Sequence, residues 1–241
     1  MRIIEVRDRE EGGEVAAEII KNLVKEKGSP TLGLATGSSP ETTYSCLVSA
    51  YEAGEISFSD VKTVNLDEYV GLYESHPQSY RYFMEEKLFS RVNINRENTH
   101  LPNGLAENIQ AECERYDRVI NSLAPIDIQL LGIGHNGHIG FNEPSEAFHS
   151  GTHIVELSGS TIEANSRFFP DKSDVPTAAI TMGIDQIMAA KSIILLAFGE
   201  DKASILHTAL TGEITPSCPA SVLQHHPNLT VIADTAALSK M

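Results

Sequence analysis

Short apolar segments alternate with longer amphipathic segments along almost the whole of this 241-residue sequence. The apolar segments have the length and composition of β-strands, and they are RIIEV, TLGLA, VKTVNL, IDIQLLGI, HIVEL, AAITM, SIILLAF and LTVIA. Apolar residues at helical spacing predict helices over residues 10–28, 41–53, 79–88, 107–123 and 200–212, the first of them closed by Gly28. Strands that are apolar throughout need cover on both faces. The alternation therefore predicts an α/β fold with a mostly parallel sheet between helical layers.

The composition limits what such a fold can bind. No Pro/Gly/Ser-rich linker and no internal repeat interrupts the chain, so residues 1–241 are predicted to form a single domain. The formal net charge of −15 argues against a nucleic-acid binder or an anionic-membrane binder, either of which would present a basic face. A small anionic ligand is compatible with this charge, because a few local donors are enough to hold one.

The sequence also indicates where the protein works. The N-terminal segment MRIIEVRDREEGG is charged from its second residue, unlike a secretory signal, and no apolar run approaches the roughly 20 residues of a membrane helix. The cysteines Cys46, Cys113 and Cys218 lie far apart without metal-ligand spacing, as expected of small half-buried hydrophobes in a reducing compartment. We therefore expect a cytoplasmic protein that has no membrane partner.

Polar and glycine-rich segments follow four of the predicted strands. They are TGSS after the second strand, DEY after the third, GHNGHIGFNEP after the fourth and GEDK after SIILLAF. In open parallel sheets ligands bind at the carboxyl ends of the strands, near the point where the strand order reverses. The sequence therefore predicts a binding site built from these four segments.

Two of the segments carry donors that suit an anion. Ser38 and Ser39 lie between a strand and a helix, where hydroxyls and backbone N–H groups can bind a phosphate at the helix N-terminus. The plainer alternative is that Ser39 caps the helix, with Pro40 in its first turn. Arg167 and Lys202 are either solvated surface charges or partners of the same phosphate. The pattern GxxxxGK[ST] is missing, so a nucleoside triphosphate site is not expected.

The other two segments carry acid–base groups. Asp67, at the end of a strand, is a candidate general base or else a helix cap or solvated turn acid. His138 can shuttle protons near neutral pH if Glu143 and Asn136 orient it, since its unperturbed pKa is about 6.5. The glycines around it permit tight turns and a close approach of a ligand. Two alternatives are a metal site made by His135, His138 and Glu143, and a buried structural histidine.

Taken together, LATGSSPETTY, NLDEYVG, GIGHNGHIGFNEP, ANSRFF and the lysine of GEDKA resemble the glucosamine-6-phosphate deaminase family in order and spacing. The resemblance runs from the second predicted strand to near the end of the chain. It implies a single Rossmann-like α/β domain, a fold shared with ribose-5-phosphate isomerase and the 6-phosphogluconolactonases. It also implies conversion of glucosamine 6-phosphate and water into fructose 6-phosphate and ammonia, with an amino-sugar phosphate as partner and without metal or organic cofactor.

The resemblance assigns roles to the matching positions. His138 is the expected base in ring opening, assisted by Asn136 and Glu143, and Asp67 is expected to move a proton between C2 and C1 of the opened sugar. Residues 144–167 match the mobile lid of the family. The residues that match the family's grip on the 6-phosphate are Ser38, Ser39, Arg167 and Lys202.

Two departures from the family pattern bear on these roles. Many relatives carry Asp where this chain has Asn136, which can orient a hydrogen bond but supplies no charge. The chain also ends at Met241, soon after its last predicted strand, whereas allosteric hexameric relatives have a longer tail. We therefore expect a monomer rather than a hexamer, without regulation by an amino-sugar effector.

Two other kinds of protein share the scaffold. A 6-phosphogluconolactonase needs His138 and the phosphate-binding residues but no base at C2, so the presence of Asp67 favours the deaminase. A sugar-phosphate sensor of the transcriptional-regulator type needs a DNA-binding helix-turn-helix and a basic surface, which this acidic chain lacks. A binder that kept the site residues without activity is compatible with the sequence.

Overall fold

The computed structural model describes all residues from 1 to 241, and the predicted alternation of strands and helices is confirmed. The strands are β1 (Arg2–Val6), β2 (Thr31–Leu34), β3 (Lys62–Asn65), β4 (Asp67–Tyr69), β5 (Thr99–His100), β6 (Ile128–Gly132), β7 (His153–Glu156), β8 (Ala178–Thr181), β9 (Ile193–Ala197) and β10 (Leu229–Asp234). The helices are α1 (Arg9–Lys27), α2 (Glu41–Glu52), α3 (Tyr80–Lys87), α4 (Ile109–Leu123), α5 (Gly159–Ser166), α6 (Ile184–Met188) and α7 (Ala203–Thr211). No helix is both long and apolar enough to cross a membrane.

Seven strands form one parallel sheet in the order β1-β10-β9-β6-β2-β3-β5. The strand order reverses between β6 and β2, which are neighbours through the pairing of Leu32 with Ile128. The segments TGSS and GHNGHIGFNEP leave these two strands side by side. The fold therefore brings together, at the reversal point, the two segments richest in glycine and polar residues.

Alternate residues of the sheet face two separate cores, as the apolar strands predicted. Leu130 packs with residues of α1, α2 and α3 on one face, and Leu131 packs with residues of α4, α6 and α7 on the other. Both leucines are fully buried. Because successive side chains of a strand point to opposite faces, an uninterrupted apolar run is what a doubly covered strand requires.

Local signals set most helix ends. The Asp8 side chain accepts the N–H of Glu11 at 2.9 Å where α1 begins, and Gly28, with φ of 72°, closes it as predicted. The alternative in which Ser39 caps α2 is wrong. Pro40 occupies the N-cap position and no side chain caps this helix. Ser39 instead lies against the end of β6, since a Cβ atom added to Gly132 would be 3.6 Å from its hydroxyl.

Three strands leave the main sheet and form a second one. The order is β4-β8-β7, and all its pairs are antiparallel, with Asp67 opposite Thr181. Only Leu66 separates β3 from β4, and its backbone joins both sheets. Its N–H donates to the Leu34 carbonyl at 3.1 Å, and its carbonyl accepts the N–H of Met182 at 2.7 Å. The second sheet thus holds Asp67 above the carboxyl edge of the first.

Candidate active site

A cleft of about 300 Å³ opens at the carboxyl ends of β2, β6 and β9, beside β4. Seven of the eight predicted site residues line it, and they are Ser38, Ser39, Asp67, Asn136, His138, Arg167 and Lys202. Glu143 lies directly behind the lining, where it contacts Asn136 and His138. The structure therefore places all eight residues in one site, as the strand-end rule predicts.

Glycines allow the His138 ring to lie flat against the loop that follows β6. A Cβ atom added to Gly134 would lie 2.3 Å from the imidazole, closer than any side chain tolerates. The Gly134 N–H donates to the His138 carbonyl at 2.9 Å, and Gly137, with φ of 87°, turns the loop between them. The glycines of this motif thus fix the position of the imidazole, and the ring is part of the cleft wall rather than buried in the core.

Asn136 connects the histidine loop to the carboxylate behind it. Its Nδ2 donates to Glu143 Oε2 at 2.6 Å, and its Oδ1 accepts the backbone N–H of His138 at 3.2 Å. His138 Nδ1 lies 3.7 Å from the same Glu143 oxygen. An amide suits this position because it can donate to the carboxylate and accept from the backbone at once. Asn136 therefore orients Glu143 toward the imidazole.

The second oxygen of Glu143 binds the start of α5. Glu143 Oε1 accepts the Ser158 N–H at 3.3 Å and the Ser158 hydroxyl at 3.2 Å, and it also accepts the Thr161 hydroxyl. Burial raises the pKa of Glu143, but the neighbouring His138 and the hydrogen bonds from Thr161 and Asn136 outweigh it and lower the pKa to about 2. Glu143 is therefore a fixed negative charge beside the imidazole at neutral pH.

Asp67 lies across the cleft in a different environment. Its side chain is buried and accepts no hydrogen bond from the protein, and it faces the histidine loop, where a Cβ added to Gly140 would be 3.4 Å from Oδ2. Burial and the neighbouring charge of Glu68 raise the pKa of Asp67 well above its usual value. A carboxylate that lacks donors and has a raised pKa is suited to accept a proton.

The helix-cap alternative for Asp67 belongs instead to its neighbour. Glu68 accepts the backbone N–H groups of Tyr69, Tyr80 and Arg81, each at 2.9 Å, at the start of α3. Burial raises the pKa of Glu68 to about 7, against the effect of these three donors. Glu68 thus binds the start of α3, and Asp67 faces the cleft.

The far end of the cleft is cationic. Lys202 is half-buried just before α7, and Arg167 follows α5 with its guanidinium carbon 4.7 Å from the centre of the Phe168 ring. Burial lowers the pKa of Lys202, the charge of Asp201 opposes this, and the charges of Arg167 and Arg9 lower it further. We call this region, formed by the TGSS loop with Arg9, Arg167 and Lys202, the anion end.

The structure gives His135 a partner other than the one considered from the sequence, and it adds residues that the sequence analysis did not name. His135, offered as an alternative metal ligand with His138 and Glu143, pairs with Asp201 at 2.7 Å, and no three metal-ligating side chains form a cluster. Tyr80 lines the cleft, with its ring stacked 5.8 Å from that of Phe141. The other missed residues are Arg9, Ser158 and Thr161. The helix-start pattern SGST could have drawn attention to the last two.

The sequence and the fold both match known proteins. The model of the family described as glucosamine-6-phosphate isomerases/6-phosphogluconolactonase matches residues 10–232. The glucosamine-6-phosphate deaminase of Lachnoclostridium phytofermentans is 56% identical over 232 residues, which are 96% of this chain and 98% of the relative. The enzyme of the same name from Streptococcus uberis is 53% identical over 241 residues, 100% of each chain.

Solved structures agree with these matches. A monomeric glucosamine-6-phosphate deaminase is similar to this chain with a TM-score of 0.97 at 44% identity, over 100% of both chains. A 6-phosphogluconolactonase from Thermotoga maritima has a TM-score of 0.77 at 21% identity, over 97% of this chain and 98% of the other, and shares the fold. This chain therefore belongs to the glucosamine-6-phosphate isomerase/6-phosphogluconolactonase family, among its glucosamine-6-phosphate deaminases.

Proposed function

We propose that this protein converts glucosamine 6-phosphate and water into fructose 6-phosphate and ammonia. The observation that carries the proposal is the pairing of two different acid–base groups across one cleft. Asp67 is buried without hydrogen-bond donors, whereas His138 is backed by the charged Glu143. We call these three residues, with Asn136, the acid–base end. Ring opening and a 1,2-proton shift need two such groups on one substrate.

His138 is the group for ring opening. It takes the proton of the C1 hydroxyl and returns a proton to the ring oxygen, which leaves an open-chain aldehyde. The imidazolium formed on the way is stabilised by the Glu143 carboxylate, whose pKa of about 2 keeps it charged. The close contact of the imidazole with Gly134 and the hydrogen bonds of Asn136 to Glu143 and to the His138 backbone hold the ring in place during the two proton transfers.

Asp67 is the group for the proton shift. It removes the proton from C2 of the open-chain amino aldehyde while a proton of the substrate's ammonium group moves to the C1 oxygen, which gives a neutral enolamine. Protonated Asp67 then returns its proton to C1. The product is a 2-iminium ion with a C1 hydroxyl, which water hydrolyses to the C2 ketone and an ammonium ion. The raised pKa of Asp67 makes its carboxylate a stronger base for the uptake of the C2 proton.

The anion end holds the phosphate away from the reacting carbons. The hydroxyls of Ser38 and Ser39, together with Lys202 and Arg167, supply donors and positive charge. Binding energy from a distal group orients a small flexible sugar for reactions at C1 and C2. This division supports the residue roles expected from the family resemblance.

The segment over the cleft supports the lid assignment for residues 144–167. It contains β7 and α5, and α5 faces the cleft through Ser160, Thr161, Ala164 and Asn165. We extend the proposal to a monomeric enzyme, since the similar solved structure is that of a monomeric deaminase. The amino-sugar phosphate is its small-molecule partner, and the cytoplasm is its proposed location.

The deciding experiment is to follow ammonia and fructose 6-phosphate together after adding glucosamine 6-phosphate to metal-stripped protein. Equal amounts of both products support the deaminase. Binding of the sugar phosphate by folded protein without turnover indicates a sensor or an inactive binder. If neither occurs and the protein hydrolyses 6-phosphogluconolactone, the lactonase alternative replaces the proposal.

A further inference from the structure

Arg9 occupies an electrostatically unfavourable position. It is the first residue of α1, and the N-terminal end of a helix repels cations because its free N–H groups carry partial positive charge. The rest of this turn follows the usual preference, with Asp8 as the N-cap and two glutamates at positions 10 and 11. The Arg9 side chain therefore needs another interaction that offsets this repulsion.

The Arg9 side chain does not pair with these acids. Glu11 is occupied by Arg7, whose Nε lies 2.9 Å from the carboxylate, and Arg9 makes no ion pair. Instead its Nη1 donates to the Ser38 carbonyl at 3.4 Å, and its guanidinium carbon lies 6.0 Å from the centre of the Phe198 ring. Arg9 therefore extends from the helix to the loop at the anion end, and it lines the cleft.

Three cations without ion pairs meet at this place. Neither Arg9, Arg167 nor Lys202 has a carboxylate within salt-bridge distance, although the chain carries a net charge of −15 and most of its other lysines and arginines are paired. Like charges gathered in one place repel one another. The pKa of Lys202 is lowered by burial first and also by the charges of Arg167 and Arg9, and the charge of Asp201 offsets this lowering only in part. A bound dianion removes the repulsion.

We propose that Arg9 is a phosphate-binding residue, a third cation that α1 supplies to the substrate's 6-phosphate beside Arg167 and Lys202. The inference rests on the proposed function and deepens it. A phosphate monoester carries close to two negative charges at neutral pH and has three acceptor oxygens, so three cations can each contact one oxygen and together more than neutralise its charge. The contact between Arg9 and the Ser38 carbonyl places the guanidinium next to the serine donors.

Arg9 acts on binding rather than on chemistry. It belongs to the anion end, whereas the reacting carbons lie against Asp67 and His138. An interaction that is equally strong in the ground state and in the transition state changes KM and leaves kcat unaltered. Removing Arg9 should also leave the free protein as stable as before or more so, because the repulsion at the start of α1 disappears.

The test compares Arg9→Gln with Arg7→Gln, which removes the same charge two residues away from a side chain that is 79% exposed and outside the cleft. In Arg9→Gln we expect KM for glucosamine 6-phosphate to rise about tenfold at constant kcat, the size of one charge-assisted hydrogen bond at a partly exposed site. The inhibition constant of inorganic phosphate should rise by the same factor. The melting temperature should not fall, and Arg7→Gln should match the wild type.

Each other outcome overturns the inference. An unchanged KM and phosphate inhibition constant in Arg9→Gln removes Arg9 from the site, and an equal rise in Arg7→Gln reduces the effect to long-range charge. A rise in KM without a rise in the phosphate inhibition constant moves the contact away from phosphate. Calorimetric titration with inorganic phosphate gives the same comparison without turnover. A wild type that binds phosphate but makes no ammonia thus refutes the proposed function alone.

Discussion

The two ends of the cleft are built in opposite ways. At the acid–base end Asp67 is buried and Glu143 is half-buried, with the pKa of Asp67 raised and that of Glu143 lowered to about 2. At the anion end Arg9 and Arg167 are exposed, Lys202 is half-buried, and none is held by a carboxylate. Burial raises the pKa of one carboxyl group and hydrogen bonds lower that of the other where protons must move, while exposed cations admit a charged ligand and release it. Variants that separate kcat from KM test this contrast.

The largest effect is expected from Asp67→Asn. An amide of the same shape cannot take up the C2 proton, so kcat should fall about 10³-fold, within the usual range for a general base. Binding of inorganic phosphate, measured by calorimetry, should be unchanged, because Asp67 does not contribute to the anion end. Substantial deamination by this variant would remove Asp67 from its role.

Gly134→Ala should disturb the imidazole without removing any polar group. The new Cβ would lie 2.3 Å from the His138 ring and must displace it, and a misplacement of about 1 Å lowers kcat about 10²-fold. Gly159→Ala is the matched control, because no atom lies within 4 Å of its added Cβ. Steady-state kinetics of both variants measure the difference. Equal activity in the two would contradict the contact described for His138.

Lys202→Ala should affect the other end alone. Loss of one half-buried charge-assisted hydrogen bond raises KM about 30-fold and leaves kcat within a factor of two. The measurement is KM for glucosamine 6-phosphate, together with the inhibition constant of inorganic phosphate. A fall in kcat at constant KM would place Lys202 at the acid–base end and erase the contrast between the two ends.

The smallest effect is expected from Thr161→Val, which removes one donor to Glu143. We expect kcat to fall about fivefold and the pKa of Glu143 to rise, with Thr161→Ser as the variant that restores both. A carboxylate with a lowered pKa stabilises the fold above its unfolded-state pKa, and the benefit is lost as the pH falls through the folded value of about 2. Urea unfolding at pH 6 and at pH 3 should therefore show a smaller difference between wild type and Thr161→Val at the lower pH.

The sequence predicted the parts of the site that depend on strand order. TGSS, DEY and GHNGHIGFNEP lie where the carboxyl ends of parallel strands meet, so their convergence follows from the fold class. The sequence did not predict that β4, β7 and β8 form a sheet of their own. β7 and β8 are short strands whose sequences do not show which strands they pair with, and only Leu66 separates β4 from β3.

Individual contacts across the fold were also outside the sequence analysis. The bond from Arg9 to Ser38 spans 29 residues, and Ser158 and Thr161 reach Glu143 over 15 and 18 residues. The position of Ser39 before Pro40 is typical of a helix cap, but its hydroxyl lies against the end of β6. Such partners depend on how distant segments pack, which local propensity and spacing do not encode.

The two backbone hydrogen bonds of Leu66 affect which parts of the enzyme can open locally. Its N–H is bonded into the parallel sheet and its carbonyl into the antiparallel one, so neither sheet can open at this point without breaking the other's hydrogen bond. The amides of Leu66 and Met182 should therefore exchange with solvent only in the globally unfolded state, whereas those of α5 exchange through local opening. The proton-transfer group thus directly follows the residue whose backbone joins the two sheets.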